Sequence, residues 1–300
     1  MTFVQIVALA IKASMFLIVF AIGLNATPKD FRYLLRHPAL LARSLLSMNV
    51  IMLVFAVAVV TSFNMHPAVK IALVALACSP VPPILPFKQL KAGGSDEYVI
   101  GLLSATAAAA IVIVPLAIEL IGQAFGLAIH VPASRIAVIV ATTVLLPLGL
   151  GILARSLAPA FAMKIMRPVA IAATVVLLAA VLPIIVKSFP TFWALIGNGV
   201  VLFLLLFSAL GLAVGHLLGG PEPDNRTVLA LATATRHPAV ALAIAAINFP
   251  EQKAVIAVVI WHLILSAMIA APYVNWRKKL RAVAAPLPEY APAVPRSWGR

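Results

Sequence analysis

The chain is poor in charged residues, and acidic ones are the scarcest. Charged side chains make up 10% of its 300 residues, with 8 Asp and Glu against 22 Lys and Arg. Soluble proteins carry about 25% charged residues, whereas 64% of this chain is hydrophobic. The composition excludes an ordinary soluble protein and indicates an all-α protein that crosses a membrane several times.

Cysteine and the common catalytic motifs are also missing. Cys78 is the single cysteine, so the chain can form neither an internal disulfide nor a zinc or iron–sulfur site built from cysteines. There is no His-Glu-x-x-His zinc motif, no Gly-x-Ser-x-Gly elbow and no pair of carboxylates in the middle of an apolar run. We therefore expect that the protein is not an enzyme and that it binds neither a metal nor a cofactor.

Long apolar runs are what the chain does contain. Each is long enough to cross a bilayer, which takes about 20 residues in a helix. Residues 1–24 lack the short apolar core and the small-residue cleavage site of a signal peptide, and we interpret them as the first span. The nine runs are 3–24, 39–61, 67–87, 98–121, 134–154, 168–187, 194–218, 228–248 and 254–276.

Basic residues lie mostly in the loops between these runs, on alternate sides. The net charge of +14 therefore predicts topology and not a nucleic-acid partner. Thirteen Lys and Arg follow the odd-numbered runs and four follow the even-numbered ones, which predicts a multi-pass protein of the plasma (inner) membrane with its N-terminus outside and its C-terminus in the cytoplasm. The smaller group comprises Lys70, Arg135, Lys187 and Lys253.

The run 228–248 carries Arg236, His237 and Pro238 in its middle. An arginine at the centre of a span costs about 2.5–3.5 kcal/mol, and a proline removes a backbone donor and crowds the preceding turn. Such a break is tolerated only where protein or water meets the freed carbonyls. We therefore expect a broken helix here that lines a functional site, and not an arginine that extends to the membrane surface.

A second interruption lies in the first half of the chain. Residues 71–91 contain closely spaced prolines that prevent a continuous helix. One broken span in each half is typical of inverted-repeat transporters, whose site lies between the two breaks. These prolines are Pro80, Pro82, Pro83 and Pro86.

Two hypotheses for Arg236 remain open. In the first, its guanidinium is a tethered cation that binds a small organic anion, since its planar fork suits carboxylate, sulfate or phosphate. In the second, it only joins carbonyls of the broken helices, because it offers up to five hydrogen bonds.

Other polar residues near the breaks are candidates to bind substrate. His237 is the central candidate for a proton carrier, against a purely hydrogen-bonding role, whereas His216 and His262 are expected to bond neighbouring carbonyls or water. Lys88 follows the proline cluster and is placed either at the inner mouth or at the interface. The remaining candidates are Asn49, Ser104, Thr233 and Thr235, although such hydroxyls often bond their own helix.

The segment GLNATPKDFRYLLRHP, from Gly23 to Pro38, resembles the bile acid:sodium symporter family, as do the proline-broken span after Cys78 and the pair Trp261-His262. The resemblance covers roughly residues 15–276. It implies crossed broken helices in a core within 39–121 and 194–276, beside a panel within 3–24 and 134–187. It also implies sodium-driven transport of organic anions by alternating access. Residues 1–280 would form this membrane domain, followed by a proline-rich, disordered cytoplasmic tail over 281–300.

The sodium ligands of that family are absent at the matching positions. The positions that hold sodium ligands in the family are occupied here by Leu85 and Pro86 in one broken helix, by Ala232 and Arg236 in the other, and by Met48 beside Asn49. No acidic residue lies near the middle of a span, and a nearby arginine repels a second cation. We therefore predict a secondary transporter that is not sodium-coupled, with the bilayer and a small organic anion as partners and protons as a candidate coupling ion. The alternative is a receptor or regulator that keeps the fold without transporting.

Overall fold

The computed structural model describes residues 2–284, which form helices joined by short connections and contain no strand. Two short helices, Pro28–Phe31 and Tyr33–Arg36, separate the first two long ones. The long helices and half-helices are α1 (Phe3–Asn25), α2 (Pro38–Ser62), α3 (Pro67–Cys78), α4 (Leu85–Lys91), α5 (Asp96–Phe125), α6 (Ala133–Leu157), α7 (Pro159–Asn198), α8 (Val200–Leu218), α9 (Pro223–Ala234), α10 (Pro238–Asn248) and α11 (Val255–Ala284).

Eight stretches of the described chain are long and apolar enough to cross a membrane, with α9 and α10 counted as one. The remaining predicted run, 67–87, is divided between the half-helices α3 and α4. The predicted fold class is confirmed, since the chain is an all-helical polytopic membrane protein with a broken helix in each half.

The two ends of α7 and the start of α8 differ from the sequence prediction. The run predicted at 168–187 is part of α7, which extends from Pro159 to Asn198, so α8 begins at Val200 and not at 194. Helical hydrogen bonds form in water as well as in lipid, so hydropathy does not mark the end of α7. Gly199 does, because its φ of 76° is left-handed and closes the helix.

The last helix continues to Ala284, four residues into the segment predicted as a disordered tail. The sequence there, Arg-Ala-Val-Ala, favours helix more than the proline-rich residues that follow it. The rest of the predicted tail, residues 285–300, lies outside the described residues.

Small residues set the distance between several helices. Helix α1 packs along α6 and α7, the three helices of the predicted panel. Gly23 of α1 meets Gly151 of α6 so closely that a Cβ on Gly23 would lie 2.5 Å from the Leu148 carbonyl oxygen. Close backbone approach through glycines is a common way for helices to associate in lipid.

A stripe of glycines on α8 positions the second broken helix. Gly211, Gly215 and Gly219 recur every four residues and face α9. A Cβ on Gly215 would lie 2.5 Å from the Leu229 carbonyl oxygen, and a Cβ on Gly211 would lie 2.7 Å from Cα of Ala234. The backbone of α9 therefore lies directly on α8 along its length, up to Ala234 at its end.

Replacing Gly215 by alanine should destabilise the protein, because the added methyl group has no room between the two backbones. Overpacking of this kind costs about 1–3 kcal/mol. The matched control is Gly149→Ala in α6, where an added Cβ meets nothing within 4 Å. Unfolding titrations of both variants in detergent micelles measure the difference, and equal stability of the two would contradict the assigned packing.

Candidate functional site

Both predicted breaks are present, and prolines explain where each begins and ends. Helix α3 stops at Cys78, Ser79 is extended with ψ of 147°, and α4 begins at Leu85. Pro80, Pro82 and Pro83 lie in the gap, whereas Pro86 lies in the first turn of α4, where a missing N–H is harmless. The prolines therefore both interrupt this span and restart it.

The second break is shorter and contains the charged residue. Helix α9 ends at Ala234, Thr235 and His237 are extended, and Pro238 is the first residue of α10. Residues 235–237 therefore leave the helix inside a stretch of membrane length, as the sequence predicted.

The two breaks touch each other. The backbone N–H of His237 donates a hydrogen bond to the Pro80 carbonyl at 2.9 Å. Nη1 of Arg236 also lies 3.4 Å from the Ser79 carbonyl oxygen. A further bond joins the same half-helices away from the crossing, from Nε2 of Gln89 on α4 to the Val228 carbonyl on α9 at 2.8 Å.

Arg236 is fully buried at this crossing. Its Nη2 donates to the Met48 carbonyl at 2.8 Å, its Cζ lies 5.8 Å from the centre of the Phe207 ring, and its Nε has no hydrogen-bond partner among the described residues. No carboxylate of the described chain lies within 4 Å of the guanidinium. Backbone carbonyls and an aromatic face therefore surround the positive charge, and the bonds to the carbonyls are of the kind that the second hypothesis for Arg236 expects.

His237 is also fully buried and faces α6. Its Nε2 lies 3.3 Å from Oγ1 of Thr143, whose hydroxyl donates to the Ile139 carbonyl at 2.6 Å. Because that hydroxyl has one proton, Nε2 of His237 is the donor to Thr143. Nδ1 of His237 then carries the lone pair, and it has no partner among the described residues.

Two π-helical turns lie against the Arg236–His237 break. One is Leu46–Ile51 in α2, which contains Met48, and the other is Ala141–Leu145 in α6, which contains Thr143. Pro147 explains the second turn, because it lacks the N–H that would bond to the carbonyl of Thr143 in a regular helix. π-helical turns are rare in proteins, and those that do occur often lie at functional sites.

The other predicted site residues divide into two groups. Thr233 and Thr235 are buried at the end of α9, and Oγ1 of Thr233 lies 2.6 Å from Oγ of Ser47. Asn49 is half-buried in the π turn of α2. Lys88 lies past the first break, half-buried on α4, and within the described chain no hydrogen bond or ion pair joins it to the crossing.

Ser104 lies on α5, and its hydroxyl bonds to carbonyls of its own helix, at 3.0 Å from Ile100 and 3.1 Å from Gly101. The structure therefore brings Arg236, His237, Thr233 and Thr235 together. No hydrogen bond or ion pair within the described chain joins Lys88 to them.

No carbonyl of the described residues bonds to His262, so the expectation that water bonds to it stays a prediction. His262 is fully buried, and neither of its ring nitrogens has a hydrogen-bond partner among the described residues. It meets the Phe207 ring edge to face, at 5.6 Å between centres and 83° between planes. His216, in contrast, lies with Nδ1 at 2.9 Å from the Tyr273 hydroxyl.

Sequence reasoning missed Ser47, Ser79, Thr143 and Phe207 as neighbours of the break. The Met48 position was marked by the family resemblance, but its contribution here is a carbonyl, which every residue has. Thr143 and Phe207 carried no signal, because their role depends on how α6 and α8 pack.

A large apolar cavity borders α3 and α10 but does not include the Arg236–His237 break. It has a volume of about 380 Å³ and is lined by α2, α3, α5 and α10, with Lys70 as its one lining cation. None of the predicted site residues lines it. Within residues 2–284, no three His, Cys, Asp or Glu side chains are close enough together to hold a metal ion.

Comparison with known proteins agrees with the resemblance seen in the motifs. No curated protein matches the chain significantly. The model of the sodium bile acid symporter family matches residues 13–192, which is more than half of the chain and includes the first broken helix. The second broken helix, with Arg236, lies beyond the matched residues. The chain belongs to the sodium bile acid symporter family.

Proposed function

We propose that this protein is a secondary transporter of a small organic anion in which Arg236 replaces the bound sodium ion. Membership of the family supports a membrane transporter of the bile acid symporter type, and members of the family are transporters rather than enzymes. We place the protein in the plasma (inner) membrane, with its N-terminus outside and its C-terminus in the cytoplasm. The core and panel follow the bounds predicted above.

The uncompensated charge of Arg236 carries the proposal, because its guanidinium is fully buried at the crossing with no carboxylate of the described chain within 4 Å. Its hydrogen bonds to the Met48 and Ser79 carbonyls show how the crossing accommodates a cation. A bound cation would take the same kind of oxygen ligand from the same crossing. Moreover, Met48 and Arg236 are positions at which the resemblance assigns sodium ligands, and here they are joined at 2.8 Å. The guanidinium therefore supplies the charge that an ion would otherwise bring.

A sodium ion beside this guanidinium is unfavourable. Two unit charges 4 Å apart repel by about 4 kcal/mol at an effective dielectric constant near 20. The Met48 and Ser79 carbonyls already accept bonds from Arg236. A sodium ion would therefore compete with a charge that cannot leave the site.

The unpaired positive charge favours an anionic substrate. Arginine keeps its proton under ordinary conditions and binds carboxylate or sulfate through parallel hydrogen bonds. Nε of Arg236 has no partner among the described residues, so it retains a donor for the anion, whereas Nδ1 of His237 can donate to an anion only when its ring is protonated. Thr233, Thr235 and Asn49 are the neighbouring polar groups that we assign to the substrate, with Lys88 and Ser104 more peripheral.

The contacts between the breaks also explain how the site can move as one unit. Backbone bonds from His237 to Pro80 and side-chain bonds from Arg236 to Ser79 join the two broken helices. Alternating access in transporters of this kind is largely rigid-body motion of one bundle against another. A joined pair of broken helices keeps the geometry of the crossing during such motion.

Transport should not depend on sodium. A thermal-shift screen of carboxylates and sulfonates, bile acids included, selects an anion for uptake into proteoliposomes. Replacing sodium with N-methylglucamine should leave the initial rate unchanged, because Arg236 already supplies the cation. A proton gradient is tested separately, since His237 is the candidate proton carrier. Uptake that stops without sodium would contradict the proposal, and binding without uptake would favour the receptor alternative.

Neutralising Arg236 should weaken binding of the selected anion. We expect Arg236→Gln to lose at least about tenfold in affinity, which corresponds to 1.4 kcal/mol, and Arg236→Lys to lose less because it keeps the charge. Lys187→Gln, which removes an exposed cation of α7, is the control. Calorimetry is carried out on variants that stay monodisperse on size exclusion. A folded Arg236→Gln protein with unchanged affinity would assign Arg236 a structural role alone.

A further inference from the structure

A second charged site lies at one end of the molecule, away from the helix crossing. It is a shallow cavity of about 310 Å³, widely open to solvent, between the end of α4 and the last turns of α11. Its ionisable lining residues are all cations, namely Lys91, Lys278 and Arg281. We propose that this cavity binds the headgroup phosphate of an anionic phospholipid.

Gly93 shapes the cavity by letting Arg281 lie on the backbone. Its φ is 92°, a left-handed conformation that side chains rarely adopt, and an added Cβ would lie 2.5 Å from Nη1 of Arg281. The guanidinium therefore lies against the turn that follows α4 and remains open to solvent. Its planar set of donors suits a phosphate.

The positive charge of the cavity is only partly neutralised. The nearest carboxylate to Arg281 is that of Asp224, with Nη2 and Oδ2 4.0 Å apart and both side chains largely solvent-accessible. This distance is at the limit of an ion pair, and exposed pairs contribute little. Lys91 and Lys278 have no carboxylate partner within the described chain. An anion can therefore bind between the three cations without displacing a strong ion pair.

The aromatic residues of α11 indicate the depth of the cavity in the membrane. Tyr273 and Trp276 pack together with His216, and Arg277 lies with Cζ 5.4 Å from the Trp276 ring. Tyrosine and tryptophan concentrate at the membrane–water interface. At about 1.5 Å per residue, Lys278 and Arg281 lie roughly 3–8 Å beyond Trp276 along the helix, which is the level of lipid phosphates.

The remaining lining residues fit a lipid rather than a free ion. Leu90 and Ala282 place apolar surface beside the cations, so a headgroup can bind while its glycerol and chains stay in contact with protein. Basic pockets between membrane helices are known to bind anionic headgroups in this way. The proposal does not depend on which substrate the protein carries.

The test compares lipids with a variant that lacks the three cations. Purified protein in detergent is titrated with phosphatidylglycerol, phosphatidylcholine or inorganic phosphate, and binding is followed by native mass spectrometry and by the melting temperature. Phosphatidylglycerol should bind the native protein at least about tenfold more tightly than the Lys91→Gln, Lys278→Gln, Arg281→Gln variant. The control is Lys279→Gln, which changes the neighbouring residue of the same helix without altering the cavity lining.

Three results would overturn the proposal. They are equal binding of phosphatidylglycerol and phosphatidylcholine, undiminished phosphatidylglycerol binding by the triple variant, and inorganic phosphate that binds as tightly as the lipid. If the triple variant does not fold, Gly93→Ala replaces it, because its methyl group displaces Arg281 and should weaken lipid binding without removing a charge.

Discussion

A buried arginine without a carboxylate partner can be accommodated only where backbone carbonyls are free to accept from it. Regular helices offer few such carbonyls, because each one already bonds to the N–H four residues later. The helices around Arg236 depart from regularity at the points it reaches. Ser79 lies in a break, and Met48 lies in a π turn. Burial of the Arg236 charge therefore depends on irregular backbone that leaves carbonyls free to accept from it.

The rest of the molecule holds this arrangement in place. The glycine stripe on α8 lets the backbone of α9 lie directly on it as far as the second break, and Phe207 of the same helix covers the guanidinium with its ring. Thr143 on α6 fixes the ring of His237 from the opposite side. Elements from both halves of the chain thus contribute to one buried polar cluster, which explains why no single segment of the sequence displays it.

The architecture could be predicted from the sequence because hydropathy and proline placement act locally. Pro80, Pro82, Pro83 and Pro238 disrupt helices wherever they occur, so both breaks were predictable, and two breaks near the midplane predict a crossing. The partners of Arg236 were not predictable, since two of them are carbonyls without a residue signature.

The π turn in α2 has a consequence for how this chain is compared with its relatives. A π turn accommodates one residue more than a regular turn, and one residue corresponds to about 100° of rotation around a helix. Residues on opposite sides of Leu46–Ile51 therefore stand in a different angular relation from those of an uninterrupted helix. An alignment with a relative whose second span is regular must open a one-residue gap here. Counting straight through would pair Met48 with a residue that faces another direction.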